Sequence, residues 1–227
     1  RLVGSEMCIR DRAFVLGEEF IGDDNVCLIL GDNIFYGNKF GTMLRECVKN
    51  TEETGHAMIF GQYVPDPERF GVAEFDKSGK VISLEEKPQN PKSNYAVVGL
   101  YFYDNKVVEY AKQLKPSARG EYEITDLNKV YLEHNALDIT VFGRGFAWLD
   151  TGTIDSLAQA SDYVKMVECV QGIKISVPEE IAFYNNWIDE EAVLKAAESY
   201  GKSPYGEHLR SITKGSFQTI LNQRKDK

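Results

Sequence analysis

Val26-Cys27-Leu28-Ile29-Leu30-Gly31-Asp32-Asn33-Ile34-Phe35-Tyr36 joins an unbroken apolar run to a carboxylate. A run without alternation suits a parallel strand covered by helices on both faces. Gly31 turns the backbone, and Asp32 projects from the strand's carboxyl end, the rim where open α/β sheets take their ligands. Taken alone, Asp32 is equally well explained as a cap on the following turn.

Outward from this stretch, strand and helix patterns alternate. Phe40, Met43, Leu44, Cys47 and Val48 form the stripe of an amphipathic helix ended by Gly55. Ala57–Tyr63 reads as the next strand, and Val72–Phe75 with Val81–Glu86 as a hairpin around Asp76-Lys77-Ser78-Gly79. Tyr95–Tyr103, almost wholly apolar, reads as another buried strand, followed by a helix capped by Asp104 or Asn105 with Val107, Tyr110, Ala111 and Leu114 inward. Ile124, Leu127 and Tyr131 mark a further helix, then come short strands at Ile139–Phe142 and Ala147–Leu149. A longer helix runs from Thr153 toward Gly172 with Leu157, Ala160, Val164 and Val167 inward. Past Pro178, Asp189 caps a helix that buries Val193, Ala196, Ala197 and Tyr200 and stops at Gly201. The expected division is a core over residues 13–177 and a helical cap or subunit-contact region over 178–227, with a polar, frayed tail from Gln218.

With 227 residues, 43% of them hydrophobic, the chain can bury a full-sized core. Its formal net charge of −9 argues against a nucleic-acid or anionic-membrane surface, which would need a basic stripe. Cys8, Cys27, Cys47 and Cys169 have no metal-ligand spacing; two of them lie on apolar faces, and they read as reduced core residues of a cytosolic protein. No stretch is long enough to span a membrane. Arg1–Arg12 has neither a signal-peptide h-region nor a regular period. It is similar to translated sequencing-adapter DNA, so the native pattern is expected to begin near Ala13; a real but irregular segment is the alternative.

Three further motifs carry chemistry. Ala147-Trp148-Leu149-Asp150-Thr151-Gly152-Thr153 repeats the logic of the first: short strand, Asp, Gly turn, helix start. Two strand-end carboxylates on one rim can share Mg²⁺, which fills its octahedron with water and substrate phosphate oxygens. Alone, Asp150 serves equally as a helix cap. In Ser83-Leu84-Glu85-Glu86-Lys87-Pro88, Ile82, Leu84 and Glu86 share a face, so Glu86 points inward and needs a partner, such as sugar hydroxyls or a lysine. Pro88 is expected to hold Lys87 extended, its ammonium within reach of a phosphate; a surface Glu-Lys pair is the alternative. Asp66-Pro67-Glu68-Arg69-Phe70-Gly71 presents a ring and a bare backbone N–H, as a sugar-pocket wall or an ordinary loop with a core Phe. Asn94-Tyr95-Ala96-Val97 is expected to add backbone contacts to the same pocket.

Together, LGDNIFYG, DPERFG, SLEEKP, SNYAVVGLYFYD, LKPSARGEYEITD and GFAWLDTGT resemble the bacterial glucose-1-phosphate thymidylyltransferases, from Ala13 to about Gly215. Pro178–Phe183 and Trp187-Ile188-Asp189 resemble that family's C-terminal helical region. The resemblance implies a Rossmann-like, mixed, mostly parallel α/β sheet flanked by helices, the nucleotide-diphospho-sugar transferase fold. It implies Mg²⁺-dependent transfer of thymidylate from dTTP to glucose 1-phosphate, giving dTDP-glucose and pyrophosphate for deoxysugars such as rhamnose. Carried over by position, Asp32 and Asp150 bind Mg²⁺, Lys87 holds the attacking phosphate, and Phe70, Gly71, Glu86, Lys87 and Val97 line the sugar-phosphate pocket. A cytoplasmic homotetramer with no nucleic-acid or membrane partner is also implied.

Two departures stand out. The family usually has Tyr where this chain has Phe70, a loss of about 0.5–1.5 kcal/mol for one neutral hydrogen bond. The family's first strand and Gly-rich nucleotide loop have no counterpart in this sequence. Base choice is therefore open among dTTP, UTP, CTP and ATP, and a non-catalytic sugar-phosphate-binding or regulatory subunit is the rival reading. With that strand absent, ladder groups and apolar faces are left uncovered. The polypeptide as written is expected to show no transferase activity and to aggregate; a soluble chain with a single cooperative unfolding transition would contradict this.

Overall fold

The computed structural model describes residues 9–117, 120–172 and 174–214. Its helices are α1 (Ile9–Leu16), α2 (Glu18–Ile21), α3 (Phe40–Thr54), α4 (Val107–Gln113), α5 (Ile124–Glu133), α6 (Ile154–Gln171), α7 (Pro178–Tyr184), α8 (Glu190–Ser199) and α9 (Pro204–Ile212). Its strands are β1 (Val26–Ile29), β2 (Asn33–Tyr36), β3 (Ala57–Tyr63), β4 (Gly71–Phe75), β5 (Val81–Glu86), β6 (Tyr95–Tyr103), β7 (Leu137–Val141) and β8 (Ala147–Asp150). Two compact units divide at residues 161/162.

In the first unit the long apolar run of β6 lies at the centre of a six-stranded sheet. One edge of β6 pairs with β3, and the other is shared by β1 and β4. Alternate residues serve opposite faces, as the pleat requires. Ala57, Ile59, Tyr101 and Tyr103 join Phe14, Val107, Leu127 and Tyr131 on one side. Met58, Phe60, Val98, Leu100 and Phe102 join Cys47 and Phe142 on the other. A strand buried on both faces reads as continuous apolar sequence, which is why β3 and β6 were legible without alternation.

The expected mixed α/β sheet is present. β1, β3, β4 and β7 share one direction, but β6 runs against them between its neighbours. Hydrogen-bonded pairs are therefore antiparallel except β3–β7. β1 departs from the expectation of cover on both faces. Val26 and Leu28 pack on the first cluster, whereas Cys27 and Ile29 are exposed. Among the described residues β1 pairs only with β6. Of the described cysteines, only Cys47 is a core residue; Cys27 and Cys169 are exposed, and all three are free thiols.

Other differences have local causes. Ile9–Arg12 form the first turns of α1 rather than irregular chain; residues 1–8, and the tail from Gln218, lie outside the described residues. Neither Asp104 nor Asn105 caps α4 through its side chain. Asp104, buried, accepts from Tyr131 Oη at 2.7 Å, and Asn105 donates to the carbonyls of Gly22 and Asp24. Tertiary partners outbid the local cap. Leu157 is exposed while Ala160 and Val167 are buried along α6.

In the second unit, Val177, Val193, Ala197, Leu209 and Ile212 form a small core, and Tyr200 lies outside it, 46% exposed. Asp189 caps α8 by accepting from Ala192 N. α9 was not anticipated, although Ser203-Pro204 is a helix-start signature: the Ser203 hydroxyl accepts from Gly206 N and Pro204 occupies the first turn.

Tyr131→Phe should cost about 1–3 kcal/mol, because it strips a hydrogen bond from a buried carboxylate. Urea unfolding should show a lower midpoint at unchanged m.

Candidate active site

The site begins with a two-stranded ribbon. β2 and β8 pair antiparallel with Asn33 opposite Asp150, Ile34 opposite Leu149, Phe35 opposite Trp148 and Tyr36 opposite Ala147. A turn closed by Asn33 N to Leu30 O carries Gly31 and Asp32 to the end of this ribbon. The Asp32 carbonyl then accepts from both Thr151 N at 2.8 Å and Thr151 Oγ1 at 2.9 Å. Asp150 thus stands opposite Asn33, and Asp32, far from it in sequence, lies one position beyond at the end of the same ribbon.

The second component is a row across three strands. Gly71 lies opposite Glu86 on β5 and opposite Val97 on β6. Having no side chain, Gly71 lets the neighbouring side chains close over it. A Cβ there would stand 2.9 Å from Thr125 Oγ1 and 3.2 Å from Glu86 Oε2. Thr125, at the start of α5, donates to Glu86 Oε2 at 2.5 Å. Glu86 does point inward with a partner, but Ile82 does not share its face. A bulge opposite Glu74/Phe75 shifts the phase of β5 and leaves Ile82 51% exposed.

Lys87 corrects another expectation. Its φ of 43° places it in the left-handed region instead of an extended conformation. Pro88 disfavours the right-handed helical region for the residue before it, and a non-glycine residue held in the left-handed region costs about 1–3 kcal/mol. Its N–H donates to the Phe70 carbonyl at 2.9 Å, continuing the hairpin ladder and holding the strained residue in place. Phe70 stands edge-on to Trp148, with ring centroids 5.1 Å apart, forming an aromatic wall.

One cavity of about 260 Å³ in the first unit gathers Asp32, Asp150, Lys87, Phe70, Gly71, Glu86 and Val97. Asn94 does not line it; its side chain instead donates to the Val64 carbonyl. Sequence reasoning missed Asn33, Arg69, Gly99, Thr125 and Trp148 in the lining, although each sits beside or within a quoted motif. Arg69 is held by Asp66 at 2.7 Å, and that hydrogen bond, with the nearby charges of Asp66, Asp150 and Glu68, raises its guanidinium above the ordinary value.

Carboxylates from Asp32, Glu86, Glu121, Glu123 and Asp150 outnumber the cations Arg69 and Lys87 in the described lining. A phosphate ligand therefore needs added positive charge. The cavity lining includes no His or Cys, and among the described residues no group of three or more potential ligands could cage a metal. Two neighbouring carboxylates suit a hard divalent ion that completes its shell with water and ligand oxygens. Asp32 and Asp150, in the lining of one cavity, offer oxygen donors of that kind.

A family model described as nucleotidyl transferase matches residues 11–166. A Neisseria meningitidis protein named glucose-1-phosphate thymidylyltransferase is 52% identical over 203 residues, 89% of this chain and 69% of that protein. A Mycobacterium tuberculosis protein of the same name is 52% identical over 201 residues, 88% of this chain and 68% of its own length. A Bacillus anthracis crystal structure with sucrose, described under the same enzyme name, has a TM-score of 0.61 and 42% identity, covering 72% of this chain and 63% of its own.

Gly71→Ala should force Thr125 and Glu86 apart, overpacking the row by about 1–3 kcal/mol. Thermal unfolding should register the loss, and a crystal structure should show the Thr125–Glu86 hydrogen bond lengthened or broken.

Proposed function

Because this chain belongs to the nucleotidyl transferase family, we propose that it serves the transfer of thymidylate from dTTP to glucose 1-phosphate, giving dTDP-glucose and pyrophosphate. The observation that supports the reading is the cavity that gathers Asp32 and Asp150, from the end of the β2–β8 ribbon, with Lys87 and the Glu86–Gly71–Val97 row. The identities to proteins named for this reaction support it.

A phosphate oxygen of glucose 1-phosphate attacks the α-phosphorus of dTTP; the bond from that phosphorus to the bridging oxygen breaks, and pyrophosphate leaves. Such chemistry asks a protein for positioning and charge neutralisation, with no covalent nucleophile. Glu86, held by Thr125, accepts from sugar hydroxyls, and Gly71, lacking a side chain, leaves Thr125 and Glu86 room to meet beside Val97. Phe70 and Trp148 cover the apolar face of the sugar. Lys87 holds the attacking phosphate as a point charge. Mg²⁺, when bound by Asp32 and Asp150, would supply the charge that lets two anionic substrates approach.

The core over residues 13–177 carries this site, and the helices from Pro178 act as a subunit-contact region of a homotetramer. Exposed Ile181 and Trp187 support that role. A cytoplasmic setting, with the product feeding deoxysugars such as rhamnose, completes the reading. Among the described residues no helix is long and apolar enough to cross a membrane.

The test is binding of glucose 1-phosphate in Mg²⁺ by calorimetry, with pyrophosphate release measured for dTTP, UTP, CTP and ATP in turn. Asp150→Ala should remove the Mg²⁺ dependence of glucose 1-phosphate binding while circular dichroism stays unchanged; near-parental behaviour would take Asp150 out of the metal site.

A further inference from the structure

Asn33 is absorbed by none of the roles above, yet its side chain touches three parts of the site. Its Oδ1 accepts from Trp148 Nε1 at 2.6 Å and from Gly99 N at 3.1 Å, and its Nδ2 donates to Asp32 Oδ1 at 2.7 Å. The orientation of this amide follows from donor chemistry. An indole N–H and a backbone N–H can only donate, so the oxygen must face them. Turning the amide over would set its NH₂ against two donors and its oxygen against a carboxylate. The NH₂ is therefore obliged to face Asp32.

Neighbouring residues on a strand point to opposite faces, so a side-chain bond between positions 32 and 33 needs a special backbone. The turn closed by Asn33 N to Leu30 O supplies it, and the bonds from Thr151 to the Asp32 carbonyl hold it. Gly99 takes part from the far side. Leu30 N donates to its carbonyl while its own N–H reaches Asn33, and a Cβ at Gly99 would meet the Leu30 side chain at 2.7 Å.

We propose that Asn33 is a positioning residue: anchored by Trp148 on β8 and Gly99 on β6, its amide aims the Asp32 carboxylate at the divalent cation shared with Asp150. This rests on the metal reading of the proposed function. It also couples the cation to the sugar wall, because Trp148 faces Phe70 on one side and holds Asn33 on the other. Hydrogen bonds behind a ligating carboxylate fix its orientation, and removing them typically costs about ten- to hundredfold in metal affinity.

The test is Mn²⁺ titration of the full chain, followed by the electron paramagnetic resonance of free Mn²⁺, with no turnover required. Asn33→Ala should weaken Mn²⁺ binding at least about tenfold, and Trp148→Phe, which keeps a ring but removes the donor, should weaken it less. Because Trp148 acts through Asn33, the double variant should bind no more weakly than Asn33→Ala alone. A general loss of packing would instead make the two effects add and would lower thermal stability in step. Should Asn33→Ala fail to fold, Trp148→Phe carries the test. Unchanged affinity in the folded variants, with binding lost in Asp32→Ala, overturns the role of Asn33 and leaves the metal site standing. If the parent chain binds no Mn²⁺, or Asp32→Ala binds it normally, the metal reading and this inference fall together.

Discussion

The register of one short ribbon, β2 against β8, is the constraint on which the site depends. Each strand is only four residues long, and neither could hold its place alone. The pairing is fixed at its end by the doubly hydrogen-bonded Asp32 carbonyl and below by Phe35, Phe146 and Trp148, which pack against the second core cluster. A slip of one residue would turn Asp150 to the opposite face and take Thr151 away from the Asp32 carbonyl. The aromatic packing therefore decides whether two acidic side chains form a site or remain two separate caps.

Around that ribbon the cavity obeys an electrostatic logic. Five described carboxylates share the lining with two cations, an excess of negative charge that opposes phosphate unless positive charge is added. The same surplus explains why hydrogen-bond donors line up behind the carboxylates: Thr125 behind Glu86, Asn33 behind Asp32. Each donor fixes a carboxylate without neutralising it, so the negative charge stays available for ligands. The strained backbone of Lys87 belongs to the same economy of space: a left-handed turn between a β-strand and a buried proline sets its direction while its amide remains in the hairpin ladder.

Much of this was legible in the residues. β3 and β6 announced themselves as unbroken apolar runs because both faces are covered, and α3 and α8 as stripes with clear end signals. β1 shares the apolar character without the cover, and nothing local separates the two cases. Ile82 illustrates the same limit: alternation assigns it inward, but a bulge, set by the partner strand, turns it out. Asp104 and Asn105 are ideal cap residues that went elsewhere, because Tyr131 and the Gly22–Asp24 carbonyls are better partners than their own helix.

The sequence by itself determined the inventory of the site: strand-end Asp32 and Asp150, inward Glu86 followed by Lys87, and a glycine after an aromatic ring. These are properties of short segments, set by strand period, turn chemistry and the cost of burying an unpaired charge. Only the tertiary structure decided who stands beside whom. Asn33, Thr125 and Gly99 acquire their roles through bonds to residues dozens of positions away, and a local pattern carries no record of a partner that folding alone brings within 3.1 Å.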